Sequence, residues 1–552
     1  MKIVCIVISF LLVAFGGPVW VPSLSLLAAC VGYALFWYTL LDFESKSTRF
    51  WMGLSWFASV QLVQLSWFIS HPFLYIVILW IVLSLAVGAQ FGLLSILITK
   101  ERMQSIRGPF LIASIWVLME WSRLFLLSGY SWNPVGLALA GSTYSLQAGS
   151  LGGVFGLSFL VIVTNGLGLR AWLYRRESSI ALFALFAVFP YLYGVGQLKA
   201  YGGEKENQES LRTVLVQTAF PVEEAMHFSS TRSFLDYVKD EWRQILNITK
   251  QHVGKPVDLV VFPELVIPCG TYTYIYTHQE AEKLFLDLYG EGSLQKLPPL
   301  IPPFAYQVPK DGRLVWMVNN LYFAQGVANC FNAAVAIGLE DVEDIEGSRE
   351  HYSAALYIKP QDKVLPTYRP MRYEKRVLVP MGEYIPFSFC KTLAAKYGVT
   401  GSFTPGEEAK VFDCSGIPIA LSICYEETFG EMMRQNKQKG ANLLVNLTSD
   451  AWYPHSRLPK QHLEHSRLRT VENGFPLIRS CNTGVTIAID SFGREIMSLG
   501  DGQPDFEDIS DSIYITVPIR NYPTLYASFG DGPIIIVSLI FTLLFLRRHP
   551  RF

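Results

Sequence analysis

Residues 3–196 form a near-continuous train of apolar runs, at about 3–17, 18–41, 50–70, 73–99, 109–129, 145–169 and 178–196, with an eighth at about 532–546. Each is close to the roughly 20 residues that an α-helix needs to cross a bilayer. In hydrocarbon the backbone polar groups must be satisfied within the segment, so these runs have to be helices. The low charge fits: only 16% of the chain is Asp, Glu, Lys or Arg, where soluble domains carry about a quarter. Lys2 ahead of the first run imitates a secretory leader. The run lacks a small-x-small cleavage site and continues into more apolar sequence, which makes it an anchor.

Charge between the runs sets an orientation. Lys46 and Arg49 follow the second run, Lys100, Arg102 and Arg107 the fourth, Arg170, Arg175 and Arg176 the sixth, and Arg547, Arg548 and Arg551 the eighth. The alternate loops, around Gly17, Ser70–His71 and Ser128–Thr143, carry no Lys or Arg. This alternation is the positive-inside pattern. It predicts both termini in the cytoplasm and residues 197–530 on the far side, a periplasm if the cell is a double-membrane bacterium. Within the fifth run Glu120 and Arg123 lie three apart on one helical face. Such groups in a bilayer pair or line a cavity, so they read as a structural ion pair or as a contact to a polar lipid head group. The net charge of −1 offers no basic excess for a nucleic-acid partner.

Between about 211 and 519 the pattern changes to short apolar strands alternating with polar helical stretches. Strands are expected at 212–217, 257–262, 314–318, 333–337, 354–358, 417–423, 443–447, 484–490 and 513–516, and helices at about 230–252, 278–290, 427–438 and 459–473. That alternation predicts an α/β domain. The organisation is therefore a seven-span membrane domain over 1–196, an α/β domain over 211–519 and a C-terminal transmembrane helix over 532–546. Cys269, Cys330, Cys390, Cys414, Cys424 and Cys481 lie in the α/β domain, where a periplasm would permit disulfides of undetermined pairing. No pair has metal-ligand spacing, and His462 and His465 lack an acidic or thiol partner in sequence. No metal and no cofactor are expected.

Three places carry chemistry. The strand Leu259-Val-Val-Phe-Pro-Glu264 stops at a proline and delivers a carboxylate. Tyr373-Glu-Lys-Arg-Val-Leu-Val-Pro-Met-Gly-Glu-Tyr-Ile-Pro386 sets Lys375 and Glu383 around a short turn. The apolar strand Ile417–Ile423 changes character abruptly at Cys424, with Tyr425 and Glu426 beside it. Strand ends are where a rigid scaffold presents reactive groups, although each residue alone has a plainer reading as surface charge or buried thiol.

Taken in order, Pro-Glu, then Lys before Leu-Val-Pro-x-Gly-Glu, then Cys-Tyr-Glu, resembles the nitrilase or carbon–nitrogen hydrolase superfamily. With the membrane runs it resembles the membrane branch of that superfamily, the apolipoprotein N-acyltransferases. The likeness extends to Glu120-Trp-Ser-Arg123, Ser128-Gly-Tyr-Ser-Trp132 and Gly153-Val-Phe-Gly-Leu-Ser-Phe159, and past the cysteine to Ser449-Asp-Ala-Trp452, Gln461-His-Leu463, Arg467-Leu-Arg469 and Asn482-Thr-Gly-Val485.

The resemblance implies a four-layer α-β-β-α sandwich with a Glu264–Lys375–Cys424 triad. Glu264 would be the base, Lys375 the fixed positive charge, Cys424 the nucleophile, and Glu383 the residue that orients Lys375. Tyr425 and Glu426 would shape the pocket, and Trp452 would gate it or touch an acyl chain. The implied reaction moves a fatty acyl group from a phospholipid through a cysteine thioester to the α-amino group of a diacylglyceryl-modified apolipoprotein, in the bacterial inner membrane and by a monomer. Lifting a 16-carbon chain into water would cost about 12 kcal/mol at roughly 0.8 kcal/mol per CH₂, so apolar loops at 266–276 and 380–389 are expected to dip into the outer leaflet. The sequence departs from the family at Val216-Gln-Thr-Ala-Phe-Pro221, where Gly-Asn-Ile and a following tryptophan are usual. It departs again at Val377, a common histidine position, and in an insertion within 278–313. Rival readings are a tethered amidase with the same triad, and a transporter with a ligand-binding outer domain.

Overall fold

The computed structural model describes residues 2–203, 208–222, 226, 228–310, 312–345, 347–361, 365–388, 391–396, 402–500 and 503–546. Phe389, Cys390, Arg547, Arg548 and Arg551 lie outside the described residues.

The amino-terminal part is a helical bundle of Lys2–Phe15, a continuous helical stretch over 22–40, Lys46–Gln64, Tyr75–Ile96, Arg107–Ser122, Gly149–Tyr174 and Glu177–Tyr201, joined by Gly532–Leu546 from the far end of the chain. Four of these, at 22–40, 75–96, 149–174 and 177–201, are long and apolar enough to cross a membrane. Their interior is aromatic: Phe36, Trp37, Trp56, Phe57, Phe91 and Trp116 form one buried cluster. At one end Arg49 turns inward and donates to the carbonyls of Glu44, Ile96 and Ile98. Glu120 and Arg123, read as an ion pair or as a contact to a lipid head group, are not in salt-bridge contact with each other and each finds another partner. Glu120 accepts the Val135 N–H at 2.8 Å, and Arg123 donates to Gln90 Oε1 at 2.7 Å while lying over the Trp116 ring. Each therefore ties its helix to a different neighbour.

The α/β part is the expected four-layer sandwich. One six-stranded sheet runs Asp511–Pro518, Ser210–Gln217, Leu259–Val261, Ala334–Ile345, Ser348–Ile358, Met371–Glu374. The other runs Glu495–Ser498, Ile487–Ile489, Leu477–Cys481, Leu443–Thr448, Ile417–Ile423, Val411–Cys414. Strand side chains alternate between faces. Leu211, Leu215, Leu259 and Val261 accordingly meet Ile417, Ile419, Leu421 and Ile423 between the sheets, while Val214, Val216, Val260 and Phe262 face the outer helices Thr231–Thr249 and Asn320–Phe331. The second sheet is covered by Gly430–Gln438 and Leu458–Asn473. Asn320–Phe331 was not expected as a helix. It is buried almost throughout and so shows no apolar stripe to read. The 278–313 insertion holds the helix His278–Tyr289 and the hairpin strand Ala305–Lys310, which pairs with Arg313–Val318 in a small third sheet.

The loops without Lys or Arg touch this domain. Arg457 donates to the Val19 carbonyl at 2.9 Å, Trp67 donates to Gln461 at 2.8 Å, and the Ser131 and Thr428 hydroxyls are hydrogen-bonded at 2.5 Å. Gly149–Tyr174 breaks at Gly152–Gly153, where Gly153 has φ +61° against the Tyr526 ring, and the freed Val154 N–H donates to Glu472 at 2.9 Å.

One loop expectation fails. Within 266–276, Val266, Ile267 and Tyr276 are buried in the domain core, and Asn320 donates to the carbonyls of Pro268 and Gly270. Apolar and aromatic composition serves a protein core as well as it serves lipid, so composition alone misassigned the segment. In the described part of 380–389, Phe387 is about half exposed, and Tyr384 contacts Ser128 of the membrane part at 3.4 Å.

Candidate active site

Glu264 leaves the strand Leu259–Val261 through Phe262 and Pro263, and its backbone lies directly on Gly338. A Cβ at Gly338 would come within 2.6 Å of the Glu264 Cα, so only glycine permits that approach. Lys375 follows Met371–Glu374 and extends its ladder by donating to the Ser353 carbonyl at 2.9 Å. Cys424 begins the 3₁₀ turn Cys424–Thr428 with φ +54°. That left-handed conformation costs about 1–2 kcal/mol for a residue with a Cβ, and the turn around it is firmly tied.

Much of the tying comes from Glu426, which is fully buried. It accepts the N–H of Ile423 at 2.8 Å, of Arg376 at 2.6 Å and of Val377 at 3.2 Å, and the Tyr373 hydroxyl at 2.9 Å. One carboxylate thus locks the cysteine turn to the segment that carries Lys375. Asn446 adds a bond from the next strand, donating to the Cys424 carbonyl at 3.0 Å. Tyr425 donates its hydroxyl to the Leu378 carbonyl at 3.1 Å.

Lys375 is buried between two carboxylates, donating to Glu264 Oε1 at 2.8 Å and to Glu383 Oε1 at 2.6 Å. The other Glu383 oxygen accepts the Val379 N–H at 2.8 Å, which fixes the turn that the Gly-Glu motif predicted. Burial alone would push the Lys375 ammonium down. The charges of Glu264 and Glu383 instead hold it well above the usual lysine range, so it stays cationic. Burial pushes the Glu383 carboxyl up, with Lys375 opposing. The Cys424 thiol is pushed far above its ordinary value, first by burial and then by the charge of Glu264, against the pull of Lys375. The resting sulfur is therefore a neutral thiol, and a nucleophile forms there only if a base removes its proton.

Two family models match the chain. The model for the apolipoprotein N-acyltransferase N-terminal domain covers residues 8–167, and that for carbon-nitrogen hydrolase covers 237–506. An apolipoprotein N-acyltransferase from Chlamydia caviae is 32% identical over 98% of this chain and 96% of its own length. The chain belongs to the apolipoprotein N-acyltransferase family. Other relatives of that name include one from Chlamydia pneumoniae, 31% identical over 98% of this chain and 96% of its own, and one from Methylococcus capsulatus, 28% identical over 80% and 75%. Among solved structures, the carbon-nitrogen hydrolase from Helicobacter pylori G27 matches 62% of this chain and 97% of its own at 15% identity, with a TM-score of 0.34.

Of the residues singled out in the sequence, Glu264, Lys375, Glu383, Cys424, Tyr425 and Glu426 form one cluster. Trp452 stacks on His71 of the membrane part, with ring centroids 5.3 Å apart and planes at 10°. Tyr453, which sequence reading passed over, has its hydroxyl raised first by burial. Asn446 was also missed, although a lone amide in the apolar run Leu443-Leu-Val-Asn-Leu447 is a legible signal. Glu427, Asp450 and Arg479 carried no sequence signal as a group. Among the described residues no cysteine is in a disulfide.

Proposed function

We propose that this chain transfers a fatty acyl group from a membrane phospholipid to the α-amino group of a diacylglyceryl-cysteine at an apolipoprotein's N-terminus, with Cys424 as the covalent carrier. The observation that carries the reading is the buried Lys375, bonded to two carboxylates beside a strand-end cysteine, in a chain of this family. In the first half the Cys424 thiol gives its proton to Glu264, and sulfur attacks the ester carbonyl. The oxyanion forms against the Lys375 ammonium and the Tyr425 N–H. Collapse expels the lysophospholipid alkoxide, which takes the proton from Glu264. In the second half the neutral amine attacks the thioester, Glu264 takes the amine proton and returns it to the departing sulfur, and an amide remains. An α-amino group of pKa about 7.7–8.0 supplies a useful neutral fraction near pH 7. Glu383 holds Lys375 in line, Glu426 and Tyr425 shape the turn, and Trp452 guards the mouth. The reaction as written needs no metal or cofactor.

The domain layout follows the same reading: membrane domain 1–196, catalytic domain 211–519 and C-terminal helix 532–546, with both termini cytoplasmic, the catalytic domain periplasmic and the enzyme monomeric. The contact of the Lys- and Arg-free loops with the catalytic domain supports that orientation. Trypsin added to intact spheroplasts should then cut at the exposed Arg313 or Arg349, and protection of both would reverse the topology. For the activity, phospholipid with a radiolabelled acyl chain is supplied with a diacylglyceryl peptide. Label in the peptide amide supports the reading. Label released only as free fatty acid, or hydrolysis of small amides without acyl transfer, overturns it.

A further inference from the structure

Behind the cysteine turn lies a second cluster of charged side chains that the reaction above does not use. Glu427, adjacent to Glu426, points away from the Lys375 segment and toward the helix Leu458–Asn473. His462 on that helix stands among two carboxylates and a guanidinium, with Nε2 3.1 Å from Glu427 Oε1 and Nδ1 3.1 Å from Asp450 Oδ1 and 2.6 Å from Arg479 Nη2. Arg479, from the strand Leu477–Cys481, reaches the same pair, at 3.5 Å from Glu427 and 3.1 Å from Asp450. All four side chains are buried. Asp450, two residues past the strand Leu443–Thr448, opens the segment that carries Trp452 and Tyr453, and its carbonyl accepts the Tyr453 N–H at 3.0 Å. Burial would raise the Asp450 carboxyl, but Arg479 and His462 hold it below its usual value, so it stays ionised.

Two carboxylates against one guanidinium, with an imidazole between them, is an arrangement in which each member depends on the others. A buried charge left alone is costly, whereas a matched set fixes geometry. Glu426 and Glu427 thus clamp the cysteine turn from opposite sides, one to the lysine segment and the other, through His462, to the wall formed by Asp450–Tyr453. We propose that His462, with Glu427, Asp450 and Arg479, is a positioning set that holds the Cys424 turn in register with the Trp452–Tyr453 wall. It governs the rate of thioester formation and not the affinity for phospholipid. The proposal rests on the reading of Cys424 as acyl carrier. A misplacement of about 1 Å at a reacting centre costs on the order of 10²-fold in rate, which is the size of effect expected.

The test uses full-length protein in phosphatidylethanolamine vesicles, quenched over time, with acyl-Cys424 read by intact mass. It yields a maximal thioester rate and a half-saturating phospholipid fraction for wild type, His462→Ala, His462→Gln and Glu427→Gln. His462→Ala should lower the maximal rate about 10²-fold with half-saturation unchanged to within about twofold. His462→Gln, which keeps a polar side chain between Glu427 and Asp450, should recover about tenfold of that loss. A His462→Ala rate near wild type, a loss confined to half-saturation, or a glutamine variant no better than alanine would overturn the proposal. If His462→Ala does not fold, Glu427→Gln decides by its own split: a slower maximal rate at unchanged half-saturation sustains the proposal, and a wild-type rate refutes it. Wild-type protein that never becomes acylated would instead sink the proposed function itself.

Discussion

Replacing Lys375 by methionine keeps most of the side-chain volume and removes the charge. Lys375 is 1% exposed and bonded to Glu264 and Glu383, so the variant leaves two buried carboxylates facing each other without a cation. Removing one partner from a buried ionic set typically destabilises by about 3–5 kcal/mol. Two adjacent carboxylates relieve that penalty by binding a proton, since one cannot ionise beside the other in a dry site. The Glu383 carboxyl, already raised by burial with Lys375 in place, should rise further. A carboxyl raised in the folded state contributes stability that is full below its unfolded pKa of about 4.3 and is lost as pH climbs through the folded value. The unfolding midpoint of Lys375→Met should therefore fall below wild type near neutrality and recover as pH drops to about 5. Chemistry suffers twice, because the oxyanion loses its charge, worth about 10²–10³ in rate, and the base is partly protonated. Thioester formation is read as acyl mass on Cys424 in single-turnover quenches. A variant within about tenfold of the wild-type rate would refute the role given to the lysine.

Glu264→Gln should separate acidity from catalysis: removing a negative charge that raises the Cys424 thiol makes alkylation by iodoacetamide faster at pH about 8, while acyl transfer falls about 10²–10⁴-fold for want of a base. Slower alkylation, or intact transfer, would contradict that assignment. In wild type the raised thiol predicts that alkylation of Cys424 keeps climbing with pH beyond the ordinary cysteine value of about 8.5, and a plateau below neutrality would refute it. Glu426→Gln turns one acceptor oxygen into an amide facing N–H donors and should lower stability by about 1–3 kcal/mol, read as a lower Tm in detergent. Gly153→Ala forces a Cβ within 2.3 Å of the Tyr526 ring at a φ of +61°, and should lower Tm by loosening the joint between the helix Gly149–Tyr174 and the catalytic domain.

The parts of this fold that were legible are those where one local signal does one job. Apolar runs that stop abruptly before Pro263-Glu264 and at Ile423-Cys424 are strands in the structure, Leu259–Val261 and Ile417–Ile423. Lys375 was less legible from its own surroundings, because Met371–Glu374 is short and polar and pairs only at its sheet's edge. Resemblance supplied it. The segment 266–276 was misassigned because tyrosines and small apolar residues suit a core held by Asn320 as well as a bilayer. The Glu120 and Arg123 spacing predicted a common helical face but could not reveal that Val135 and Gln90, from other elements, would take the two groups. The set of Glu427, Asp450, His462 and Arg479 was hidden for a similar reason. Its members come from a turn, a strand end, a helix and another strand, and only the packing of the second sheet against its helices brings them together.

The account's central claim is that one sulfur carries the chain between two lipids, and the mass of the protein itself tests it most directly. Wild-type protein drawn from membranes, or mixed with phospholipid and no acceptor, should carry one added fatty acyl group that maps to Cys424 and disappears on adding a diacylglyceryl peptide. Cys424→Ala should carry none. An unmodified wild-type mass under turnover of phospholipid, or an acyl group that persists in Cys424→Ala, would contradict the account.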